Sequence, residues 1–94
     1  MHQIDLIITR HRALLTYLRG MGIKAPAVSH AKPENVRGKH ICGVVPLSLA
    51  AHAASVTVVP LHIPAEMRGR ELTYDELCKV ADAPERYIVQ LQKD

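Results

Sequence analysis

The sequence predicts an α/β protein, a mostly parallel sheet flanked by helices in the order β-α-β-β-α-β-α-β. Three observations predict it. Short runs rich in Ile and Val recur along the chain: "QIDLIIT" at 3–9, "HICGVV" at 40–45 and "SVTVVPLHI" at 55–63. The run at 3–9 is nearly continuously apolar and that at 40–45 apolar throughout, as strands are when both faces are covered, and 55–63 is rich in β-branched residues. Segments with helical spacing or helix-start signals lie between them, the arrangement that yields βαβ units.

Each element has its own warrant. The first strand, 3–9, leads into "RHRALLTYLRGMG", where Leu14, Leu15 and Leu18 form one helical face and Gly20 or Gly22 ends it. "PAVSH", 26–30, is a short second strand, and "AKPENVRGKH" reads as a polar connection. The third strand, 40–45, is followed by Pro46, which suits the first turn of a helix because its missing N–H has no partner there anyway. Residues 55–63 form a fourth strand, with Pro60 disfavouring its middle. "TYDE", 73–76, has the form of a capping box: Thr73 caps the last helix and Glu76 returns to its N–H. That helix runs to about Ala83, and "RYIVQLQ", 86–92, alternates as an edge strand.

At 94 residues the chain is expected to be a single domain spanning 1–94. A chain of this size buries roughly 60–65% of its unfolded surface, a modest core that dimerisation would supplement. With no Trp, no Phe and three Tyr, that core must be aliphatic. The net charge is +3, and it is unevenly placed. Residues 1–45 carry Arg10, Arg12, Arg19, Lys24, Lys32, Arg37 and Lys39 against Asp5 and Glu34 alone. Duplex DNA calls for a stronger basic stripe, whereas a small anionic ligand suits this balance. No run is long enough to cross a membrane as a helix, and "MHQIDLIITRHR" lacks the basic and hydrophobic regions of a leader. A cytoplasmic protein is expected, with Cys42 and Cys78 as reduced, buried thiols.

Open α/β sheets bind ligands beyond the carboxyl ends of their strands. In this chain those ends are Thr9-Arg10-His11, Ser29-His30, Pro46-Leu47-Ser48 and the loop "PAEMRGREL" with Arg68, Gly69, Arg70 and Glu71. Parallel strands would place them on one rim, with arginine forks, hydroxyls and helix N-termini suited to phosphate. Each residue also has a plainer use. Arg10 can be a surface cation, although it opposes the dipole of the helix it precedes. Ser48 can be a local cap, and Arg68 and Arg70 can pair with Glu66 and Glu71. His30 and His62 read as structural or solvated, and His40 and His52 as ordinary surface or partly buried side chains. No dinucleotide fingerprint, phosphate-binding P-loop, metal-ligand cluster or nucleophile elbow is present, so no cofactor and no metal are expected.

Three stretches, "TRHRALLTYLRGMGI", "GKHICGVVPLSLAAHA" and "LHIPAEMRGREL", resemble a small CRISPR-associated family of the Csx group, ancillary proteins of type III systems. The family follows its Arg-His pair with Pro-Gly-Ala where this chain has Arg12-Ala13-Leu14, and Lys39 stands where an acidic residue is common. The resemblance implies a homodimeric Rossmann-like fold akin to the CARF-like domains that sense cyclic oligoadenylate. It also implies a ring nuclease that linearises such a ring, cyclic tetra-adenylate above all, and so switches signalling off. Carried onto this chain, the family positions are Arg10, His11, Pro46, Arg68, Gly69, Arg70 and Glu71. With the strand-end residues they give Arg10, His11 and Arg70 as catalytic, and Thr9, Pro46, Leu47, Ser48, Arg68, Gly69 and Glu71 as ligand-binding. The expected chemistry is metal-independent attack by the ribose 2′-hydroxyl, leaving a 2′,3′-cyclic phosphate. The competing expectations are a module that senses or sequesters the cyclic nucleotide without cutting it, and an interaction protein with no nucleotide site.

Overall fold

The computed structural model describes residues 3–93. The elements are β1 (Leu6–Ile8), α1 (Arg12–Gly20), β2 (Ala27–Val28), α2 (Pro33–Val36), β3 (His40–Gly43), α3 (Leu47–Ala50), β4 (Ser55–Val58), a 3-10 turn at Ala65–Met67, α4 (Tyr74–Val80) and β5 (Glu85–Tyr87). They form a five-stranded sheet in the order β2-β1-β3-β4-β5. β1 to β4 run parallel, and β5 closes the far edge antiparallel to β4. The expected mostly parallel, helix-flanked sheet is present.

Side chains alternate across the strands and divide the core in two. Ile7 and Cys42 point to the face covered by α1 and α4, where Leu14, Leu18 and Leu77 meet them. Leu6, Ile8, Ile41 and Val56 point to the other face, against Val36 of α2 and Ala50 of α3. Ile7, Leu18 and Ile41 are fully buried, each contributing about 1.5–3 kcal/mol relative to an exposed side chain. Arg19 fastens the end of α1 to the approach to β2 by donating to the carbonyls of Ile23 and Ala25 at 3.1 and 2.6 Å. At the opposite end of the sheet from the strand-end loops, His40 meets Ser55 through its Nδ1 at 2.7 Å.

Four expectations need correction. The polar connection between the second and third strands holds a helical turn, α2, so the order is β-α-β-α-β-α-β-α-β. Pro33 and Glu34 open that turn, Lys32 N–H donates to Asn35 Oδ1 at 2.8 Å, and Val36 is completely buried. The strands are shorter than the apolar runs, because neighbours to pair with run out: β4 stops at Val58, before Pro60, and β5 stops at Tyr87. Pro46 is the N-cap of α3, extended at ψ 150°, rather than a residue of its first turn. Cys42 is buried as expected, its thiol pushed up to about 11 by that burial, but Cys78 is exposed on α4. The capping box is present as read, with Glu76 N–H donating to Thr73 Oγ1 at 3.2 Å and Thr73 N–H to Glu76 Oε1 at 3.0 Å. Among the described residues no helix is long and apolar enough to cross a membrane.

Candidate functional site

The chain leaves β1 on one side to form β2 and returns past it to form β3 on the other, so the connections reverse between β1 and β3. Ligand crevices in open sheets form at such a reversal. A crevice of about 430 Å³ lies there, lined by Thr9, Arg10, His11, Ser29, His30 and Pro46, among others. Gly43, at the end of β3, precedes Val44 and Val45 of its lining. It sits opposite Ile8 at φ 138°, where an added Cβ would lie 1.9 Å from the Ile8 carbonyl oxygen.

Within the crevice Arg10 Nη2 reaches His30 Nδ1 at 3.2 Å. Arginine has no acceptor, so the guanidinium donates and His30 carries its ring proton on Nε2. Thr9 Oγ1 accepts from the His11 N–H at 3.1 Å and sets the turn into α1, for which His11 is the N-cap residue. Among the described residues the His11 ring has no hydrogen-bond partner. Arg10 and His11 also line an open hollow with Gly69, Arg70 and Glu71. The first strand end and the "RGRE" loop therefore meet on one rim.

The loop is shaped by its own bonds. Gly69 adopts φ 84°, a left-handed turn that side-chain-bearing residues avoid. Arg68 folds back, its Nε donating to the Ile63 carbonyl at 3.3 Å. Arg70 donates two parallel bonds to Glu76, at 2.8 and 2.5 Å. That fork holds the Glu76 carboxyl down to about 2, the Arg70 bonds being the main cause and the Thr73 N–H the next. The same contact raises the Arg70 guanidinium. The carboxylate that orients Arg70 is thus Glu76; Glu71 touches it only through its backbone carbonyl, at 3.5 Å.

The structure brings Thr9, Arg10, His11, Pro46, Gly69, Arg70 and Glu71 to the crevice and the hollow beside it. Leu47 and Ser48 line neither the crevice nor the hollow. Leu47 is exposed and lines a separate apolar groove with Tyr87 and Ile88, and Ser48 is exposed without capping α3. α3 is a single turn, too short to supply the dipole of a long helix. Two further residues take part. His30 stands at the strand-end rim that the sequence predicts, and it partners Arg10 rather than being merely structural or solvated. Glu76 does more than cap α4: it also pairs with Arg70, and a carboxylate in the first turn of a helix beside an arginine-rich loop is the signal for that role. Among the described residues no group of three or more His, Cys, Asp or Glu side chains is placed to hold a metal ion.

The fold and site define an α/β protein with a cationic crevice at the reversal of its sheet. Residues 6–90 match the family model described as "Putative CRISPR-associated protein (Cas_VVA1548)". The chain belongs to this CRISPR-associated family. Comparison with curated proteins and with solved structures gives no match.

Proposed function

We propose that this protein is a ring nuclease of type III CRISPR systems, a cytoplasmic homodimer that binds and linearises a cyclic oligoadenylate, with cyclic tetra-adenylate as the expected ring. The observation that carries the reading is the shared rim: Arg10 and His11 line both the crevice and the hollow with Arg70. A Rossmann-like, CARF-like assignment of the sheet belongs to the same proposal. It is supported by the parallel order β2-β1-β3-β4 with its reversal beside that crevice.

RNA supplies its own nucleophile. A ribose 2′-oxygen bonds to the adjacent phosphorus, the bond from phosphorus to the 5′-oxygen breaks, one proton leaves the 2′-hydroxyl and one arrives on the 5′-oxygen. The product is an isomer of the ring, a linear strand with a 2′,3′-cyclic phosphate, and no electrons change hands. Holding the hydroxyl in line with the leaving oxygen supplies much of the acceleration. Arg10 and Arg70 are assigned to the charge that builds on the phosphoryl oxygens. His11, with its ring free, is assigned to the proton, a role typically worth about 10²–10⁴-fold.

A second reading, a module that binds the ring without cutting it, is favoured by one observation: both rim arginines already have partners, Arg10 with His30 and Arg70 with Glu76. Incubation with cyclic tetra-adenylate in EDTA, followed by chromatography, separates the two. A linear product supports the nuclease, and retention of intact ring supports the binding module. Calorimetry showing no binding would end both.

A further inference from the structure

Beside the rim lies a second cavity, of about 250 Å³, between the start of α1, the 61–72 loop and α4. Its walls are aliphatic, with Leu14, Leu61, Ile63, Leu72 and Leu77 prominent, and among the described residues its polar lining comes from His11 and Arg70. These two residues are also the ones it shares with the open hollow. An apolar cleft thus opens directly onto the arginine-bearing rim.

We propose that this cleft is the base pocket of the site: it takes one nucleobase of a nucleotide whose phosphate lies on Arg10, His11 and Arg70. The proposal rests on the nucleotide reading above and adds where, and by what contacts, the base is held. Size, polarity and geometry support it. An apolar cavity of about 150 Å³ holds a benzene ring, so about 250 Å³ accommodates a bicyclic heterocycle. The chain has no Trp or Phe, and none of its tyrosines lines the cleft, so the faces of the base meet leucine and isoleucine. A flat group remains at the junction. The Arg70 guanidinium is held in one plane by its two bonds to Glu76, and guanidinium planes stack on bases. Glu76 is therefore a positioning residue for that plane. It holds Arg70, which lines both the cleft and the hollow, where the two meet.

The test uses the full chain labelled at Ile, Leu and Val methyls and at backbone amides, titrated with adenosine 5′-monophosphate, ribose 5-phosphate, inorganic phosphate and cyclic tetra-adenylate. The expected result is that adenosine monophosphate shifts the methyls of Leu61, Ile63 and Leu72 together with the amides of Arg10 and His11. The two phosphates lacking a base should move the rim amides alone. Burying a flat apolar group against aliphatic walls is worth about ten- to hundredfold in affinity, and adenosine monophosphate should exceed ribose 5-phosphate by that margin. Filling the cleft with Leu72→Trp or, separately, Ile63→Trp should abolish the margin and leave ribose 5-phosphate binding unchanged. Rim shifts without methyl shifts, with equal affinity for the two monophosphates, overturn the base pocket and leave the nucleotide reading standing. No shift at rim or cleft with adenosine monophosphate or cyclic tetra-adenylate overturns both.

Discussion

Gly43 is where β3 lies closest to β1. At φ 138° and pressed against the Ile8 carbonyl, it admits no side chain without separating β1 from β3. Gly43→Ala should therefore cost at least ~2 kcal/mol, a fall of about 8 °C or more in melting temperature for a chain of this length. Gly38→Ala is the control: its φ is 72° but nothing lies near its Cβ, so only the left-handed strain of ~1–2 kcal/mol applies. Equal melting temperatures for the two variants would refute the close approach. Glu76 makes a separate prediction. Its carboxyl titrates at about 2 when folded against an ordinary 4.5, so the stability it adds is present above pH 4.5 and lost as pH falls toward 2. Gln at the third helical position can still close a capping box, so Glu76→Gln removes mainly the charge. Urea midpoints of wild type and Glu76→Gln should differ at pH 7 and converge between pH 4.5 and about 2. A difference that persists unchanged at pH 2 would mean that the Arg70 pair is not what holds the loop.

At the scale of elements, what could be read depended on how much of the evidence was local. β1 and β3 show themselves because strands covered on both faces form near-continuous apolar runs, and β4 because Val56, Thr57 and Val58 are β-branched. α4 shows itself because a capping box is a local hydrogen-bond pattern, and Thr73 and Glu76 form it. α2 hides because only one of its residues, Val36, is buried, and a single apolar residue has no period. Pro33 and Glu34 were the legible signals there, as Pro and an acid are favoured in a first turn. The strand-end rule brought Arg10, His11 and Arg70 to one rim from sequence alone, since it needs only parallel strands. It could not show that Leu47 and Ser48 lie outside the crevice lining, or that Arg70 answers to Glu76 rather than Glu71, because those depend on local packing across a loop. α2 also yields a test. Val36→Ala should cost about 2 kcal/mol as a core truncation. A solvated connection would lose less than about 0.5 kcal/mol, so a small change in the urea midpoint would return the segment to a loop.

The whole molecule leaves an apolar surface that a monomer of this size has little reason to expose. Val44, Leu47, Ile88 and Leu91 are 68–74% exposed, and a groove of about 360 Å³ runs between α3 and the segment that follows β5. Val44 and Val45 line both that groove and the crevice, so whatever covers the first lies beside the second. The proposed homodimer fits this position. A two-fold axis through the groove would cover the patch with its own copy, supplement a marginal core, and set two cationic crevices side by side. A ring with two-fold symmetry could then meet two equivalent rims. Ile88 lines neither the crevice nor the hollow and is exposed, so Ile88→Glu should cost the protomer little while placing two carboxylates at the axis. Sedimentation of the wild type should give twice the 10.4 kDa chain mass, and Ile88→Glu should give that mass once, with an unchanged far-ultraviolet spectrum. Turnover of cyclic tetra-adenylate should fall with the dimer fraction, because each ring would find only one rim. A wild type that sediments at the chain mass at every concentration, or a variant that stays dimeric, removes the groove as the self-association surface.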